Sequence, residues 1–461
     1  MARGRQDRSR YRRFWDEARE TMAPAERRRR ILDRVRHQLA YAYEKLPFYR
    51  RLYDRHGVRP DDVRTLEDFT AKVPCVTKDM LRADQTDHPP FGSYAGVGLE
   101  QVVRIFGSSG TTGKPTLYGI SAADWERAGH AQAMAVWAMG ARPDDLVHFL
   151  FPFGMFVGGW AILHGTTEIG AASFTAGAME TGRHIDMMKL LRPTVLAGTP
   201  SYCLHLGEVA RQSGDDLSTL GLRTLIVGGE PGGSLRGPRD AMRAAFGDVT
   251  IADTGNTSEC FPTQMNSSCE EAPGVHVFED EVFLEVVDRD DANAPVADGE
   301  RGATVYTTLW RESQPMIRFW AGDETWMTRE PCRCGRSYPR LPDGLVGRLD
   351  DMLLVRGANV YPSAIDDTLR RVPGVGAEYR VIVEKEGAMD EIGIHAEYDP
   401  RWLAARPSAA EGRAALARAI EAALKRTIGL RCAIEIVEPG SLESQLFKAR
   451  RVIDRRPRQG A

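Results

Sequence analysis

A strand, a helix and a second strand between residues 195 and 231 constrain the fold more than any other segment. VLAGTP (195–200) and RTLIVGGEP (223–231) each have the apolar character of a buried strand that ends in a turn. The segment SYCLHLGEVARQSG between them has helical spacing and ends at a glycine. Apolar strands joined by a helix predict a parallel or mixed sheet that is covered by helices. Ligands in such folds bind at the carboxyl ends of the strands, where GTPS and GGEP lie.

The chain is long enough for more than one domain. Its 461 residues exceed what one compact core usually holds. Short apolar runs alternate with helical patterns from Gly96 to about Pro342, whereas segments such as YRVIVEK and AIEIVEP nearer the C-terminus predict a separate small unit. We therefore predict an α/β protein with a large N-terminal domain (1–347) of helix-covered mixed β-sheets. A small C-terminal α+β domain (348–461) would follow, joined near Gly347 and Arg348.

Composition and charge exclude several classes of protein. Hydrophobic residues make up 42% of the chain and charged residues 27%, which is globular rather than disordered composition. A net charge of −3 indicates no general affinity for nucleic acid or for an anionic membrane. The sequence has no apolar run of about 18 residues, and its basic N-terminus lacks the apolar core of a secretory signal. Seven cysteines, an odd number, favour reduced thiols, so we predict a cytoplasmic protein.

The segment SSGTTGKPT, from Ser108 to Thr116, has the composition of a loop that binds phosphate groups. It is not a Walker A loop, because Ser108 stands where the first glycine is required and Pro115 follows Lys114 instead of a hydroxyl residue. It also lacks the G-x-G-x-x-G pattern of dinucleotide-binding folds. What remains is a loop whose backbone N–H groups and hydroxyls can close over a triphosphate. A glycine-rich surface turn is the alternative interpretation.

Several further motifs occur in order along nearly the whole chain: KLPFYRRLYDRHGVRPDDVRTLEDF, KVPCVTKDMLR, RPTVLAGTPSY, GGEP, PMIRFWAGDE, GRLDDMLLVRGANVYPSAID and KARRVIDRR. Together with SSGTTGKPT they resemble the acyl-adenylate-forming (AMP-binding) superfamily, and within it the phenylacetate–CoA ligase-like branch. The resemblance implies that a carboxylic acid and ATP give acyl-AMP and pyrophosphate, usually followed by thioester formation with coenzyme A. It implies ATP, Mg²⁺ and coenzyme A as cofactors.

The same resemblance implies roles for individual residues. Glu259 would hold Mg²⁺ together with a loop hydroxyl, and Asp323 would accept both ribose hydroxyls. Arg348 would lie near the ribose or the phosphates, and Asp350 matches the hinge. Lys448 would bridge the carboxylate of the acid and the α-phosphate, where its ammonium stabilises developing charge. The β- and γ-phosphates would be held by Ser108, Ser109, Gly110, Thr111, Thr112, Gly113 and Lys114, of which Thr111 and Lys114 are predicted to act in catalysis with Glu259 and Lys448. The remaining nucleotide contacts would come from Gly229, Glu230, Pro231, Asp253, Thr254, Gly255, Asn256 and Thr257.

Two motifs depart from the pattern of the family. In DTGNTSE, Gly255 stands where the family usually has an aromatic residue that stacks on adenine. Losing that contact, worth about 1 kcal/mol, predicts weak or shifted ATP binding. The approach to Lys448, QLFKAR, also lacks the usual serine and glycine residues, and a solvated lysine is the alternative interpretation of this position. These departures keep open a catalytically silent binding protein of the same fold.

Three cysteines and one histidine have the residue types of a structural zinc site: Cys269, His276, Cys332 and Cys334. Three thiolates and an imidazole can complete a tetrahedral shell, and some members of the resembled branch place Cys and His in this arrangement. The role would be structural, because four protein ligands leave no open position for a substrate. Free thiols are the alternative interpretation.

The acyl pocket is expected to come from FPFGMFVGGW (151–160) and from the turns after the two strands. Aromatic walls and flat glycine positions favour an aryl or arylacetic acid as the small-molecule substrate. The predicted lining residues are Phe151, Phe153, Phe156, Gly158, Pro200, Ser201, Tyr202 and Gly228. The acyl-AMP would pass to coenzyme A or, alternatively, to an amine or a carrier-protein thiol. The sequence leaves a homodimer open.

Overall fold

The computed structural model of the chain describes residues 10–108, 115–155, 157–271, 273–355, 358–386, 389–443 and 451–456. Its N-terminal part contains helices that bury one apolar face, as the spacing of Ile31, Val35 and Leu39 predicts. These helices are α1 (Glu17–Glu20), α2 (Pro24–Lys45), α3 (Pro47–His56), α4 (Leu66–Lys72) and α5 (Lys78–Asp87). Helices α2 to α5 pack against the antiparallel sheet described below, with which they share one hydrophobic core.

A five-stranded parallel sheet forms the centre of the next part, in the strand order β4-β3-β5-β6-β7. Its elements and the hairpin before it are β1 (Val102–Gly107), β2 (Leu117–Ser121), α6 (Ala122–Ala138), β3 (Leu146–Phe149), α7 (Val157–Glu168), β4 (Ala172–Thr175), α8 (Thr181–Leu191), β5 (Val195–Gly198), α9 (Pro200–Ser213), β6 (Thr224–Gly228), α10 (Arg236–Phe246) and β7 (Thr250–Thr254). The predicted strand, helix and strand are therefore confirmed as β5, α9 and β6. Alternate residues of β5 enter different cores: Val195 and Ala197 pack with α6 and α7, and Leu196 packs with α8, α9 and α10.

Antiparallel strands follow the parallel sheet. They are β8 (Asn266–Ser267), β9 (Val275–Val277), β10 (Val282–Val287), β11 (Arg301–Thr308), β12 (Phe319–Trp326), β13 (Arg340–Leu341) and β14 (Gly347–Arg348). One sheet has the order β10-β11-β12-β14, and a smaller one has the order β13-β9-β8. With the parallel sheet they confirm the predicted mixture of sheets covered by helices.

The residues after β14 form a unit with a hydrophobic core of its own, which confirms the predicted α+β character of this part. Its elements are β15 (Leu353–Val355), β16 (Ala358–Val360), α11 (Pro362–Arg370), β17 (Val375–Glu386), β18 (Met389–Tyr398), α12 (Pro400–Ala404), α13 (Ala409–Ile428), β19 (Ala433–Val437) and β20 (Val452–Asp454). Helix α11 packs against α10 of the preceding part, where the Gly237 N–H donates to Asp367 Oδ1 at 2.7 Å. Among the described residues, no helix is both long enough and apolar enough to cross a membrane.

Candidate active site

The carboxyl ends of β5, β6 and β7 bring two predicted loops together. Thr199 caps α9, and the Ser201 N–H at the start of that helix donates to Glu230 Oε1 at 2.7 Å. The GTPS turn and the GGEP turn are therefore directly linked. Gly228 is required at the end of β6, because a Cβ there would lie 2.3 Å from Thr254 O. This close approach places the GGEP loop beside the segment that begins at Asp253.

The altered DTGNTSE segment is an ordered loop that is held by residues of β8 and the turn before it. The Gly255 N–H donates to Asn266 Oδ1 at 2.8 Å, and Asn266 Nδ2 donates back to Gly255 O at 2.6 Å. The Met265 N–H donates to Asn256 Oδ1 at 2.9 Å. A Cβ at Gly255 would lie 3.2 Å from Leu345 Cδ1, so Leu345 occupies space beside the position where the family usually has an aromatic residue.

Asp253 is held at the start of this segment by two serines. The Ser234 hydroxyl donates to its carboxylate, and the Asp253 N–H donates to Ser268 Oγ at 2.8 Å. Burial raises the pKa of Asp253 to about 6, and the bond from Ser234 partly opposes this rise. Asp253 therefore helps to fix the loop between β7 and the expected Mg²⁺ ligand Glu259.

Glu259 is buried, with 5% of its surface exposed, and forms an ion pair that the sequence analysis missed. Lys78 Nζ, at the first residue of α5, lies 2.9 Å from Glu259 Oε1. The motif KVPCVTKDMLR contains this lysine, but nothing in the local pattern indicates that it meets a glutamate far along the chain. Arg311 contacts the same residue from another side, because its Nη1 donates to Glu259 O. A cation thus approaches Glu259 at both its side chain and its main chain.

The flanks of the predicted phosphate loop are closed against each other. The Ser108 N–H donates to Thr116 O at 3.0 Å, and the Thr116 N–H donates to Ser108 Oγ at 3.3 Å. β1 and β2 pair antiparallel below this point. The predicted residues between these flanks, which are Ser109, Gly110, Thr111, Thr112, Gly113 and Lys114, lie outside the described residues, as does Lys448.

Asp323 and Arg348 are brought together by the antiparallel sheet. They are directly paired residues on β12 and β14, and 9% of Asp323 is exposed. The Asp323 N–H donates to the hydroxyl of Thr304 at 3.2 Å on the neighbouring strand β11. Asp350, the expected hinge residue, follows in the turn Leu349–Asp351 between β14 and β15.

The expected acyl-pocket residues divide into two groups. Phe151 and Tyr202 are buried in the cores on opposite faces of the parallel sheet, and the Tyr202 hydroxyl lies 3.2 Å from Thr181 Oγ1. Phe153 is only partly buried and contacts Trp160 edge-on at 5.2 Å. Gly158 lies in the first turn of α7, Pro200 and Ser201 begin α9, and Gly228 ends β6. Phe156 lies outside the described residues. Phe151 and Tyr202 thus contribute mainly to the core.

The four predicted zinc ligands are brought together although they come from distant loops. One ligand atom from each of Cys269, His276, Cys332 and Cys334 lies within 4.8 Å of the other three. The Cys269 and Cys332 sulfurs are 3.8 Å apart, and Cys334 Sγ is 3.3 Å from His276 Nε2. A tetrahedral ion with zinc–sulfur bonds of about 2.3 Å requires sulfur atoms about 3.8 Å apart. The separation of the Cys269 and Cys332 sulfurs therefore equals the value for such an ion.

The second nitrogen of His276 has the kind of partner that metal-binding histidines use. His276 Nδ1 lies 3.4 Å from Tyr338 O, which can orient the ring and leave Nε2 directed at the sulfurs. The loop that carries Cys332 and Cys334, here called the cysteine loop, also contacts the N-terminal segment. Arg13 Nη2 donates to Arg333 O at 2.8 Å, and Arg336 Nε donates to Glu20 at 2.6 Å. The cysteine loop thus joins the start of the described chain to β9 and β13.

A separate cleft of about 260 Å³ lies away from all the predicted site residues. Arg34 and Arg127 both stack on Trp310 in its wall, with guanidinium carbons 3.7 and 3.6 Å from the ring centre. None of the predicted site residues lines this cleft, so it is not part of the candidate active site.

Comparison with known families agrees with this arrangement of motifs and loops. The model of the AMP-binding enzyme family matches residues 21–307, and the model of the AMP-binding enzyme C-terminal domain matches residues 357–456. The chain therefore belongs to the AMP-binding enzyme family, in the phenylacetate–CoA ligase-like branch that the motifs indicated.

Individual relatives are similar over almost their whole length. Phenylacetate-coenzyme A ligase of Thermus thermophilus is 35% identical over 92% of this chain and 95% of its own. The enzyme of the same name from Escherichia coli K12 is 34% identical over 93% and 94%. Among solved structures, 2-hydroxyisobutyryl-CoA ligase in the postadenylation state with R3-HIB-AMP is 39% identical, with a TM-score of 0.91 over 97% of this chain and 93% of that one. The same ligase in the thioesterification state gives a TM-score of 0.73 over 96% and 93%.

Proposed function

We propose that this protein converts a carboxylic acid and ATP into acyl-AMP and pyrophosphate and then transfers the acyl group to coenzyme A. The observation that carries this proposal is the similarity, over nearly the whole chain, to a CoA ligase solved with an acyl-adenylate (TM-score 0.91, 39% identity). The linked GTPS and GGEP loops, the Asp323–Arg348 pair and buried Glu259 give that similarity a local basis.

In the proposed reaction the chain mainly positions its substrates and stabilises charge. The loop between Ser108 and Thr116 binds the terminal phosphates, and Asp323 binds the ribose. Mg²⁺, held with the help of Glu259, would neutralise phosphate charge. Lys448 would stabilise the charge that develops when the acid attacks the α-phosphate, and Arg348 would lie near the ribose or the phosphates. Residues 1–347 and 348–461 would then turn about Asp350 between the two half-reactions.

The difference between the two TM-scores supports such a rotation. The same ligase matches this chain at 0.91 in its postadenylation state and at 0.73 in its thioesterification state, with nearly equal sequence identity. The arrangement of the two parts in this chain is thus more similar to the postadenylation state. The contact between Gly237 and Asp367 belongs to this arrangement and would break when the parts turn.

The cysteine and histidine cluster would hold one structural Zn²⁺. The 3.8 Å sulfur separation and the Tyr338 carbonyl behind His276 support this assignment. The ion would fix the loop around Cys332 and Cys334 to the strand that carries His276. Because all four positions are protein ligands, the zinc would take no part in the chemistry.

The acid itself is proposed as an aryl or arylacetic acid, which is supported by the relatives named phenylacetate-coenzyme A ligase. A small hydroxylated acid is the second candidate. It is favoured by the burial of Phe151 and Tyr202 within the cores, which leaves fewer free aromatic walls for a ring, and by the similarity to 2-hydroxyisobutyryl-CoA ligase.

Pyrophosphate exchange into ATP tests the proposal with the full chain and a panel of acids. Phenylacetate, benzoate, 2-hydroxyisobutyrate and an unsubstituted short acid are compared with and without coenzyme A. We expect acid-dependent exchange and a thioester product with the preferred acid. Exchange without thioester would favour an amine or carrier-protein acceptor, and no exchange with any acid would favour a silent binding protein.

A further inference from the structure

Arg311 is a buried cation without a counter-ion in the described part of the chain. Only 2% of its surface is exposed, and its Nη1 donates a hydrogen bond to the main-chain oxygen of Glu259. Its Nε and Nη2 have no hydrogen-bond partner among the described residues. The carboxylate with the strongest influence on it, Asp124, already accepts the N–H groups of Glu312 at 3.2 Å and Ser313 at 2.9 Å.

This arrangement is unfavourable unless something outside the described residues supplies negative charge. Burial lowers the pKa of Arg311, and Asp124 compensates for only part of this effect. A buried guanidinium that lacks hydrogen bonds has lost its hydration without replacement. Proteins usually keep such groups where a ligand or ordered water completes them.

The position of Arg311 indicates which ligand is relevant. Its guanidinium carbon lies 5.8 Å from the centre of the Tyr118 ring, and Tyr118 follows the flank of the phosphate loop on β2. The segment that carries Arg311 is fixed to β2 by Gln314, whose Oε1 accepts the Gly119 N–H at 2.7 Å. The Tyr118 and Thr116 side chains are both buried and interact with each other on this strand and its flank. The guanidinium of Arg311 therefore lies near the strand that follows the predicted phosphate loop.

We infer that Arg311 is a positioning residue of the triphosphate site: it fixes the main chain of Glu259 and places a positive charge near β2, and the terminal phosphates of ATP balance this charge. This inference rests on the proposed function. It differs from the expected roles of Glu259 and the loop, because Arg311 lies outside every motif that indicated the site. The effect of Arg311 on nucleotide affinity should depend on the β- and γ-phosphates, which AMP lacks.

The test compares nucleotide binding by isothermal titration calorimetry in the full chain and in three variants. Arg311→Gln removes the charge, and Arg311→Lys retains it without the planar donor group. Arg27→Gln is the matched control, since Arg27 is also buried (1% exposed) and donates to main-chain oxygens, but those belong to Arg19 and Ser337. ATP with Mg²⁺, pyrophosphate with Mg²⁺ and AMP alone are the ligands.

We expect Arg311→Gln to weaken binding of ATP and of pyrophosphate by at least about tenfold, while AMP binding changes less than about twofold. Arg311→Lys should recover part of the loss, and Arg27→Gln should bind all three ligands as the unmodified chain does. Equal weakening for ATP and AMP, or no weakening for either, would overturn the inference. If the unmodified chain bound no ATP, the proposed function would fail together with the inference. Should Arg311→Gln not fold, the ratio of ATP to AMP affinity in Arg311→Lys decides.

Discussion

Lys78 and Glu259 form the contact at the candidate site that most clearly depends on two single residues. The carboxylate is almost completely buried, whereas the lysine side chain is 30% exposed at the beginning of α5. In the proposed reaction Mg²⁺ would approach the same carboxylate. Lys78 therefore supplies the positive charge that Glu259 needs when no metal is bound.

Replacing Lys78 by methionine should leave a buried carboxylate without a cation. We expect Lys78→Met to lower the free energy of unfolding by about 1–2 kcal/mol in EDTA, between the values typical of exposed and of buried ion pairs. Millimolar Mg²⁺ should restore part of this loss, because the metal can take the place of the ammonium. Denaturant unfolding with and without Mg²⁺ measures both effects.

Lys72→Met provides the control, since Lys72 pairs with Asp68 at 2.7 Å on an exposed helix face. It should change stability by less than about 0.5 kcal/mol and show no dependence on Mg²⁺. A Lys78→Met variant that behaved like this control would contradict the role assigned to the ion pair.

At the scale of elements, the predicted and missed features have different physical origins. The strands β5 and β6 and the helix α9 were predictable because apolar runs, helical spacing and Gly214 are local signals. The carboxyl edge of the sheet then placed GTPS and GGEP together. Lys78 and Arg311 were not predictable, because their partner Glu259 is distant in sequence and no periodicity connects them. Phe151 and Tyr202 were predicted as pocket walls; both lie in buried clusters, and their contact with an acid stays a prediction.

The loop that carries Cys332 and Cys334 is a second feature of this scale, and its metal content is testable. We expect about one zinc per chain in protein purified without chelator, measured by inductively coupled plasma mass spectrometry. Cys334→Ser should lose most of the metal and reduce the thermal midpoint, because a structural zinc contributes directly to folding.

Cys203→Ser serves as the comparison, since Cys203 is fully buried in the core around α9 and is not part of the cluster. The Cys203→Ser variant should keep its zinc even if its thermal midpoint falls. Metal-free wild-type protein with freely titrating Cys269, Cys332 and Cys334 would contradict the assignment.

On the scale of the whole molecule, the proposed function needs groups from both parts of the chain. Glu259, Asp323 and the phosphate loop belong to the larger part, and Lys448 belongs to the smaller one. The family resemblance indicated that the site residues are divided between the two parts. The pattern of the sequence alone could show only that the last segment has its own core. Activity should therefore depend on a residue that contributes little to nucleotide affinity.

Lys448→Ala should reduce pyrophosphate exchange by about a hundredfold or more while ATP binding stays within a few-fold, because the ammonium acts on charge that develops in the transition state. Lys425→Ala, an exposed position on α13, is the control and should retain exchange. Unchanged exchange in Lys448→Ala would show that another group activates the acid.

The attachment of the N-terminal segment to the cysteine loop has a consequence for synthesis on the ribosome. Glu20 binds Arg336 and also accepts the Ser337 N–H at 3.0 Å, so its partners emerge only after most of the chain has been translated. At about 5–20 residues per second, the first helix must wait tens of seconds for these contacts. During that interval the beginning of the nascent polypeptide would be open to chaperones and proteases.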